Sequence, residues 1–377
     1  MGHFANEFPQ ADHICYLNHA AVAPWPLRSK QAIAQFAAEN VSLGATHYPA
    51  WLKVEQSLRE RLKRLLNAPS TGDIALVKNT SEALSFVAFG LDWRDGDEVV
   101  ISDEEFPSNR IVWEALSRFG VRVKQVSLQG AQPEQDLIAA LGTRCRLLSV
   151  SAVQYASGLK LDLAALGHAC RAKGVLFCVD AIQQLGAQPM DVQACAIDFA
   201  MADGHKWLLG PEGLGVFYCR SELRASLTLH EYGWHMLEHA GDYTRSEWQP
   251  ARSAKRFECG SPNMLGAYAL EASLSLLEEV GMVEVARLID ERVSYLLSAL
   301  QSIAQCRVIS ATAPERRAGI VTFSTGEENA AVHRELMQAG VICAHRGGGV
   351  RFSPHFYTAQ TTLDQALKQV KSIVAKG

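Results

Sequence analysis

Short unbroken apolar runs recur through the middle of the chain, each followed by a stretch whose apolar positions repeat at helical spacing. Ile74-Ala75-Leu76-Val77 precedes Ser81 to Leu91, Glu98 to Ser102 precedes Arg110 to Phe119, and Arg146 to Val150 precedes Leu163 to Lys173. A strand covered on both faces reads as a continuous apolar run, so this alternation predicts a parallel sheet with helices on both sides. Val175 to Val179, Phe199 to Ala202 and Gly215 to Cys219 read as three more strands. Upstream, Arg28 to Leu66 keeps helical spacing on either side of a break at Ser42 to Pro49. Downstream, one long helical stretch from Leu265 to about Ser302 leads to a strand at Gly319 to Ser324, a helix at Ala330 to Ala339, a strand at Val350 to Ser353 and a last helix from Leu363. The expectation is an α/β protein in two parts: a large domain, 26–258, on a mainly parallel sheet covered by helices, and a smaller α/β domain formed by 259–377 with 1–25.

A length of 377 residues suits two domains of this kind. The 36 basic and 40 acidic side chains leave a net charge of −4 with no basic stripe, which argues against a nucleic-acid partner. No run approaches the roughly 18 apolar residues of a membrane span, and Met1 to Tyr16 has no cationic start before an apolar stretch, so a cytoplasmic location with no membrane partner is expected. The 9 cysteines are scattered and include no C-x-x-C pair. Neither a disulfide framework nor a metal site is expected from them.

Candidate chemistry gathers at the ends of the strands, where open α/β sheets bind ligands. Asp180 follows the run Val175 to Val179, and Lys206 follows Phe199 to Ala202 within Asp203-Gly204-His205-Lys206-Trp207. Alone, each has an ordinary reading: an aspartate caps a helix, and a lysine sits in solvent. Together they are the two groups that a pyridoxal 5'-phosphate (PLP) enzyme requires, a lysine that forms a reversible imine with an aldehyde and an acid that keeps a ring nitrogen protonated. Gln183, three residues beyond Asp180, is placed to hydrogen-bond the ring's phenolic oxygen. Asn79-Thr80-Ser81 follows the strand ending at Val77 and opens a helix, so hydroxyls, backbone amides and the helix dipole converge on an anion such as the cofactor phosphate.

These segments resemble the fold-type I PLP enzymes called class V aminotransferases, in the branch that holds isopenicillin N epimerase, selenocysteine lyase, cysteine desulfurase and cystine C-S lyase. The resemblance is carried by Tyr16-Leu17-Asn18-His19-Ala20-Ala21, Asn79-Thr80-Ser81-Glu82, Val179-Asp180-Ala181-Ile182-Gln183, Gly204-His205-Lys206-Trp207, Phe257 to Asn263, and Arg351-Phe352-Ser353-Pro354-His355-Phe356-Tyr357. It implies that Thr80 and Ser81 hold the phosphate, Asp180 the pyridinium nitrogen, Gln183 the phenolic oxygen and Lys206 the imine, with His205 beside it in a catalytic and cofactor-binding role. Ser261 matches a phosphate contact supplied by the neighbouring subunit, which implies a homodimer with shared active sites. Arg351 matches the arginine that takes the substrate's α-carboxylate as a bidentate fork, and Asn18 and His19 fall on the substrate side. The implied activity is PLP chemistry on an α-amino acid through Lys206. An aminotransferase comes first. A C-S β-lyase resembling selenocysteine lyase or cystine lyase, or an amino-acid epimerase, is the alternative; a catalytically weak PLP-binding protein comes last.

The chain departs from the desulfurase pattern at several places. Phe106 stands where desulfurases generally place a histidine on the cofactor ring; it stacks but relays no proton, as in kynureninases. Tyr155 replaces an asparagine beside the ring. Asp203 takes the place of a Ser or Thr that helps hold phosphate, so it is expected to turn elsewhere. Cys343 lies in the apolar run Gly340 to Ala344, and His345-Arg346-Gly347-Gly348-Gly349-Val350 runs almost directly into Arg351, leaving no long mobile loop for a persulfide-carrying cysteine. His345, Arg346, Trp234 and His235 are candidates for lining the substrate side.

Overall fold

The computed structural model describes residue 4, residues 6–326 and residues 328–375. The first three residues of the Met1 to Tyr16 segment and residue 5 lie outside that description. Along the chain the strands are β1 (Cys15–Tyr16), β2 (Ile74–Val77), β3 (Glu98–Ser102), β4 (Arg122–Val126), β5 (Cys145–Ser151), β6 (Leu176–Asp180), β7 (Phe199–Asp203), β8 (Gly215–Cys219), β9 (Arg307–Val308), β10 (Val321–Ser324), β11 (Val341–Ile342), β12 (Ala344–Arg346) and β13 (Gly349–Phe352).

β2 to β8 form one seven-stranded sheet in the order β2-β8-β7-β6-β5-β3-β4. Pairing is parallel from β7 through β4, and β8 runs antiparallel to both β2 and β7. β2 therefore points the same way as β7, and the carboxyl ends of β2, β7, β6, β5 and β3 open on one edge. Successive side chains of a strand face opposite sides. Along β7, Ala200 and Ala202 join the apolar cluster that contains Phe177 and Val179, while Phe199 and Met201 join the one that contains Cys178 and Phe217. Both faces of the sheet are thus covered, as the unbroken apolar runs require.

Several features differ from the sequence reading, three of them as follows. β4 was not anticipated: it is an edge strand whose Arg122, Lys124 and Gln125 break the apolar run, as suits a strand with one open side. The helical stretch after Leu265 is two helices, Met264–Val280 and Met282–Gln301, divided at Gly281, whose φ of 83° favours glycine. The expected helix from Arg110 begins at Ser108 and turns into a 3-10 segment, Ala115–Phe119.

A second sheet, β12-β13-β10-β9, is antiparallel throughout, and the short β1 pairs in parallel with β11. Cys15 lies opposite Val341 in that pair, so the start of the described chain is joined to its last third. Among the described residues no helix is long and apolar enough to cross a membrane, and all nine cysteines are free. Glu55, His235 and Glu258 lie close enough to suggest a metal group, but Arg59 bridges the two glutamates, at 2.6 Å to each. The cluster ties the helix Tyr48–Leu66 to the segment after β8, and Glu258 also accepts the Leu76 N–H of β2 at 2.9 Å.

Candidate active site

The open strand ends surround a cavity of about 250 Å³ lined by Thr80, Ser81, Phe106, Ser108, Tyr155, Asp180, Gln183, Asp203, His205, Lys206, Arg346 and Arg351, with Ala20, Ala21 and Ile182. Most of the residues singled out from the sequence meet there.

Asp180 is the last residue of β6, paired with Ser151 of β5 on one side and Met201 of β7 on the other. Its Oδ1 accepts the Ile182 N–H at 3.1 Å, which fixes the carboxylate at the turn. Burial pushes its pKa up to about 7 against the pull of Lys206. A carboxylate so short of solvation gains most from a cationic partner, and a protonated ring nitrogen is one.

Lys206 is held by a tight loop after β7. A Cβ on Gly204 would come within 2.8 Å of the Leu214 carbonyl, so only glycine fits. The loop closes through Gly204 N–H to Leu214 O at 2.9 Å, Gly210 N–H to Gly204 O at 2.8 Å and Ala23 N–H to His205 O at 2.8 Å. The fully buried Trp207 donates Nε1–H to Gln183 Oε1 at 2.8 Å, and its carbonyl meets His355 Nε2 at 3.1 Å. Gly319 makes room for that indole: a Cβ there would lie 2.2 Å from the ring. With its neighbours locked, Lys206 reaches into the cavity, its Nζ 5.7 Å from the centre of the Phe106 ring. Burial lowers the ammonium to about 8, with Asp180 opposing the shift, which raises the fraction of free, nucleophilic amine.

Gln183 lines the cavity with most of its amide committed. Its oxygen accepts from Trp207 and one N–H donates to the Ala20 carbonyl at 3.0 Å, leaving one N–H for a ligand. The helix Thr80–Gly90 begins at the cavity, capped by Asn79 through the Glu82 N–H at 2.9 Å. Thr80 Oγ1 is buried with no partner, and the Ser81 hydroxyl donates to Ser108 Oγ at 2.9 Å. An orphaned hydroxyl at a helix N-terminus, a buried carboxylate and a buried lysine in one cavity fit PLP.

Phe106 and Tyr155 pack edge to face, 5.2 Å between ring centres. The buried Glu105, not anticipated from the sequence, anchors their segments: it accepts the Ser102 hydroxyl at 2.6 Å, the Ser151 N–H at 3.0 Å and hydroxyl at 2.6 Å, and Asn109 Nδ2–H at 2.8 Å. Arg351, on β13, donates to the Tyr155 carbonyl at 2.5 Å and keeps a buried Nε with no partner. Burial and the nearby Arg346 bring its guanidinium down to about 10. Its unspent donor capacity suits a carboxylate ligand.

Other expected residues stand apart from the cavity. His19 is fully buried, with Nδ1 on the Ser353 carbonyl at 2.8 Å and Nε2 on the Tyr357 hydroxyl at 2.6 Å, so both ring nitrogens are spent on structure. Asn18 bridges to the Ser353 backbone and does not line the cavity. Ser261 is exposed in a separate groove with Lys78, Glu82 and Cys259. Of the four substrate-side candidates only Arg346 lines the cavity. Asp203, expected to turn away, lines it too, with Oδ2 3.6 Å from His205 Nδ1. Cys343 is 3% exposed between β11 and β12, and burial pushes its thiol up to about 12.

The Aminotransferase class-V family model matches residues 15–365. A probable cysteine desulfurase of Methanothermobacter thermautotrophicus is 29% identical over 97% of this chain and 96% of its own length, and a cysteine desulfurase of Klebsiella pneumoniae is 30% identical over 84% and 79%. In fold, the chain is similar to the apo cysteine desulfurase of Thermococcus onnurineus, with a TM-score of 0.90 and 22% identity over 100% of this chain and 98% of that one. It is also similar to the cystine C-S lyase C-DES in complex with its reaction product cysteine persulfide, with a TM-score of 0.88 and 24% identity over 97% and 99%.

Proposed function

This chain belongs to the aminotransferase class-V family and takes PLP as its cofactor, and from that premise we propose that it breaks the C-S bond at the β-carbon of a sulfur-containing α-amino acid and releases the sulfur directly. The single observation that carries the second half of this reading is the burial of Cys343, which leaves no cysteine among the described residues that line the cavity with Arg351. The sequence reading placed transamination first. The names of the relatives, cysteine desulfurases and a cystine C-S lyase, move sulfur chemistry ahead of it.

When bound, PLP supplies an electron sink that lets a bond at the α-carbon break heterolytically. Asp180 would hold the ring nitrogen and keep it protonated, while Thr80 and Ser81 would take the phosphate and the free N–H of Gln183 the phenolic oxygen. Arg351 would grip the α-carboxylate and so fix which bond at the α-carbon stands across the ring. Lys206, the cavity's partly deprotonated amine, would carry the cofactor covalently and then move the α-proton. Phe106 would press on the ring face and exclude water without competing for that proton. Ser261, exposed outside the cavity, is free to reach the phosphate of a second copy, which supports a homodimer with shared sites.

Transamination stays as a second reading because Phe106 leaves the site without a second ring-face acid to protonate a leaving group. The test is product analysis of the holoenzyme with L-cysteine and L-cystine. Stoichiometric pyruvate and released sulfur support the lyase; conversion of the cofactor to pyridoxamine phosphate without released sulfur overturns it.

A further inference from the structure

A carboxylate is a poor neighbour for a phosphate, because like charges in a shared low-dielectric cavity repel. Asp203 nonetheless lines the cavity in which a phosphate is to bind. It ends β7 opposite Gly215 of β8, which is itself opposite Val77 at the end of β2. Strands lie about 4.8 Å apart, so Asp203 sits roughly 10 Å across the sheet from β2, which leads into Thr80, and one strand from Asp180 on β6. It lies between the residues assigned to the two ends of the cofactor.

Its buried side chain faces His205, Oδ2 to Nδ1 3.6 Å. Asp203 Oδ1 and His205 Nδ1 are both buried with no hydrogen-bond partner, and His205 lines the cavity, with no hydrogen bond from its Nε2 to another of the described residues. The other charged groups around the imidazole line the same cavity: Lys206 from its own loop, Asp180 from β6, and Arg346 and Arg351 from the β12-β13 hairpin. None of them occupies Nδ1.

We propose that Asp203 is a positioning residue that holds the His205 ring from behind on its Nδ1 edge, so that Nε2 is aimed at the PLP phosphate and the carboxylate acts on the anion only through the ring. A histidine ring carries nitrogens on two edges, one to face each flanking anion. A carboxylate behind a histidine fixes the ring's orientation and proton, and removing such a group costs about 10- to 100-fold where the histidine binds a metal. The arrangement turns a repulsive residue into part of the phosphate's support. This inference is independent of which bond the enzyme breaks, but it rests on Thr80 marking the phosphate end.

The experiment is titration of the apoprotein with PLP and with pyridoxal, which lacks the phosphate, followed by absorbance. Asp203→Asn is expected to weaken PLP by about 10- to 100-fold and to leave pyridoxal unchanged. His205→Gln should give a similar selective loss, and the double variant should be no worse than His205→Gln alone. Tighter PLP binding by Asp203→Asn would mean that the carboxylate merely repels the phosphate and would overturn the proposal. Equal losses for PLP and pyridoxal, or losses that add in the double variant, would overturn it as well. Thr80→Val checks the premise separately: if it leaves the PLP to pyridoxal ratio unchanged while Asp203→Asn lowers it, the Thr80 assignment fails and the pair stands.

Discussion

Replacing Cys343 with Ala should leave turnover of cysteine or cystine essentially intact. A thiol pushed up to about 12 is about one part in 10⁵ thiolate at pH 7, against about one part in 10² at the reference value of 9.0. Sulfur transfer needs that thiolate exposed, and at 3% exposure the side chain is also closed to substrate. Both obstacles would have to vanish for Cys343 to act as a carrier. The substitution should instead register in stability, where one buried sulfur lost from the packing costs about 1 kcal/mol. The assay pairs rates of pyruvate and sulfide release with mass spectrometry of the protein after turnover and with denaturant unfolding. A fall in rate of about 100-fold or more in a folded variant, with a persulfide trapped at Cys343 in the parent, would refute the reasoning and return sulfur transfer to this residue.

Borohydride should fix the cofactor to Lys206, and Asp180→Asn should preserve that adduct while lowering kcat on the order of 10²-fold, the scale of a lost electrostatic contact in a buried site; full turnover would exclude the ring-nitrogen role. Arg351→Lys should lower kcat/KM about 10- to 100-fold through a charge-assisted bond worth about 1.5–3 kcal/mol, chiefly by raising KM, as steady-state kinetics will read. His19 is held neutral by burial, its pKa lowered from 6.5 to about 4, so the unfolded chain binds more protons between those values. Stability from this group is full above pH 6.5 and falls by about 3 kcal/mol as pH drops to 4; His19→Gln should flatten that limb in urea unfolding measured across the range.

The strands β2, β3 and β8 carry the limits read from the sequence, because a strand covered on both faces needs an unbroken apolar run bounded by turn or charged residues. β4 escaped for the opposite reason: its open edge tolerates arginine and lysine. At the site, Asp180 and Lys206 were legible since Asp180 directly follows one apolar run and Lys206 stands four residues beyond another, and strand direction puts both on one edge. His19 was not. It follows β1 in a segment with no period, where Ala20 and Ala21 line the cavity while the imidazole turns back to Ser353 and Tyr357. Asp203 was expected to turn away because a carboxylate suits no phosphate; the histidine that gives it a partner is two residues on, and only the fold shows them facing each other.

The loop that carries Lys206 is braced by parts of the chain that are synthesised far apart. Ala23 holds the His205 carbonyl, Gly319 admits the Trp207 ring and His355 meets the Trp207 carbonyl. A ribosome-bound chain that has completed the seven-stranded sheet therefore still lacks the wall behind its lysine, and the pairing of β1 with β11 must wait for residue 342. Contacts of such long sequence separation form late because loop closure has to precede them. The wall behind the lysine is therefore complete only when residues as far apart as Ala23 and His355 have joined the same fold.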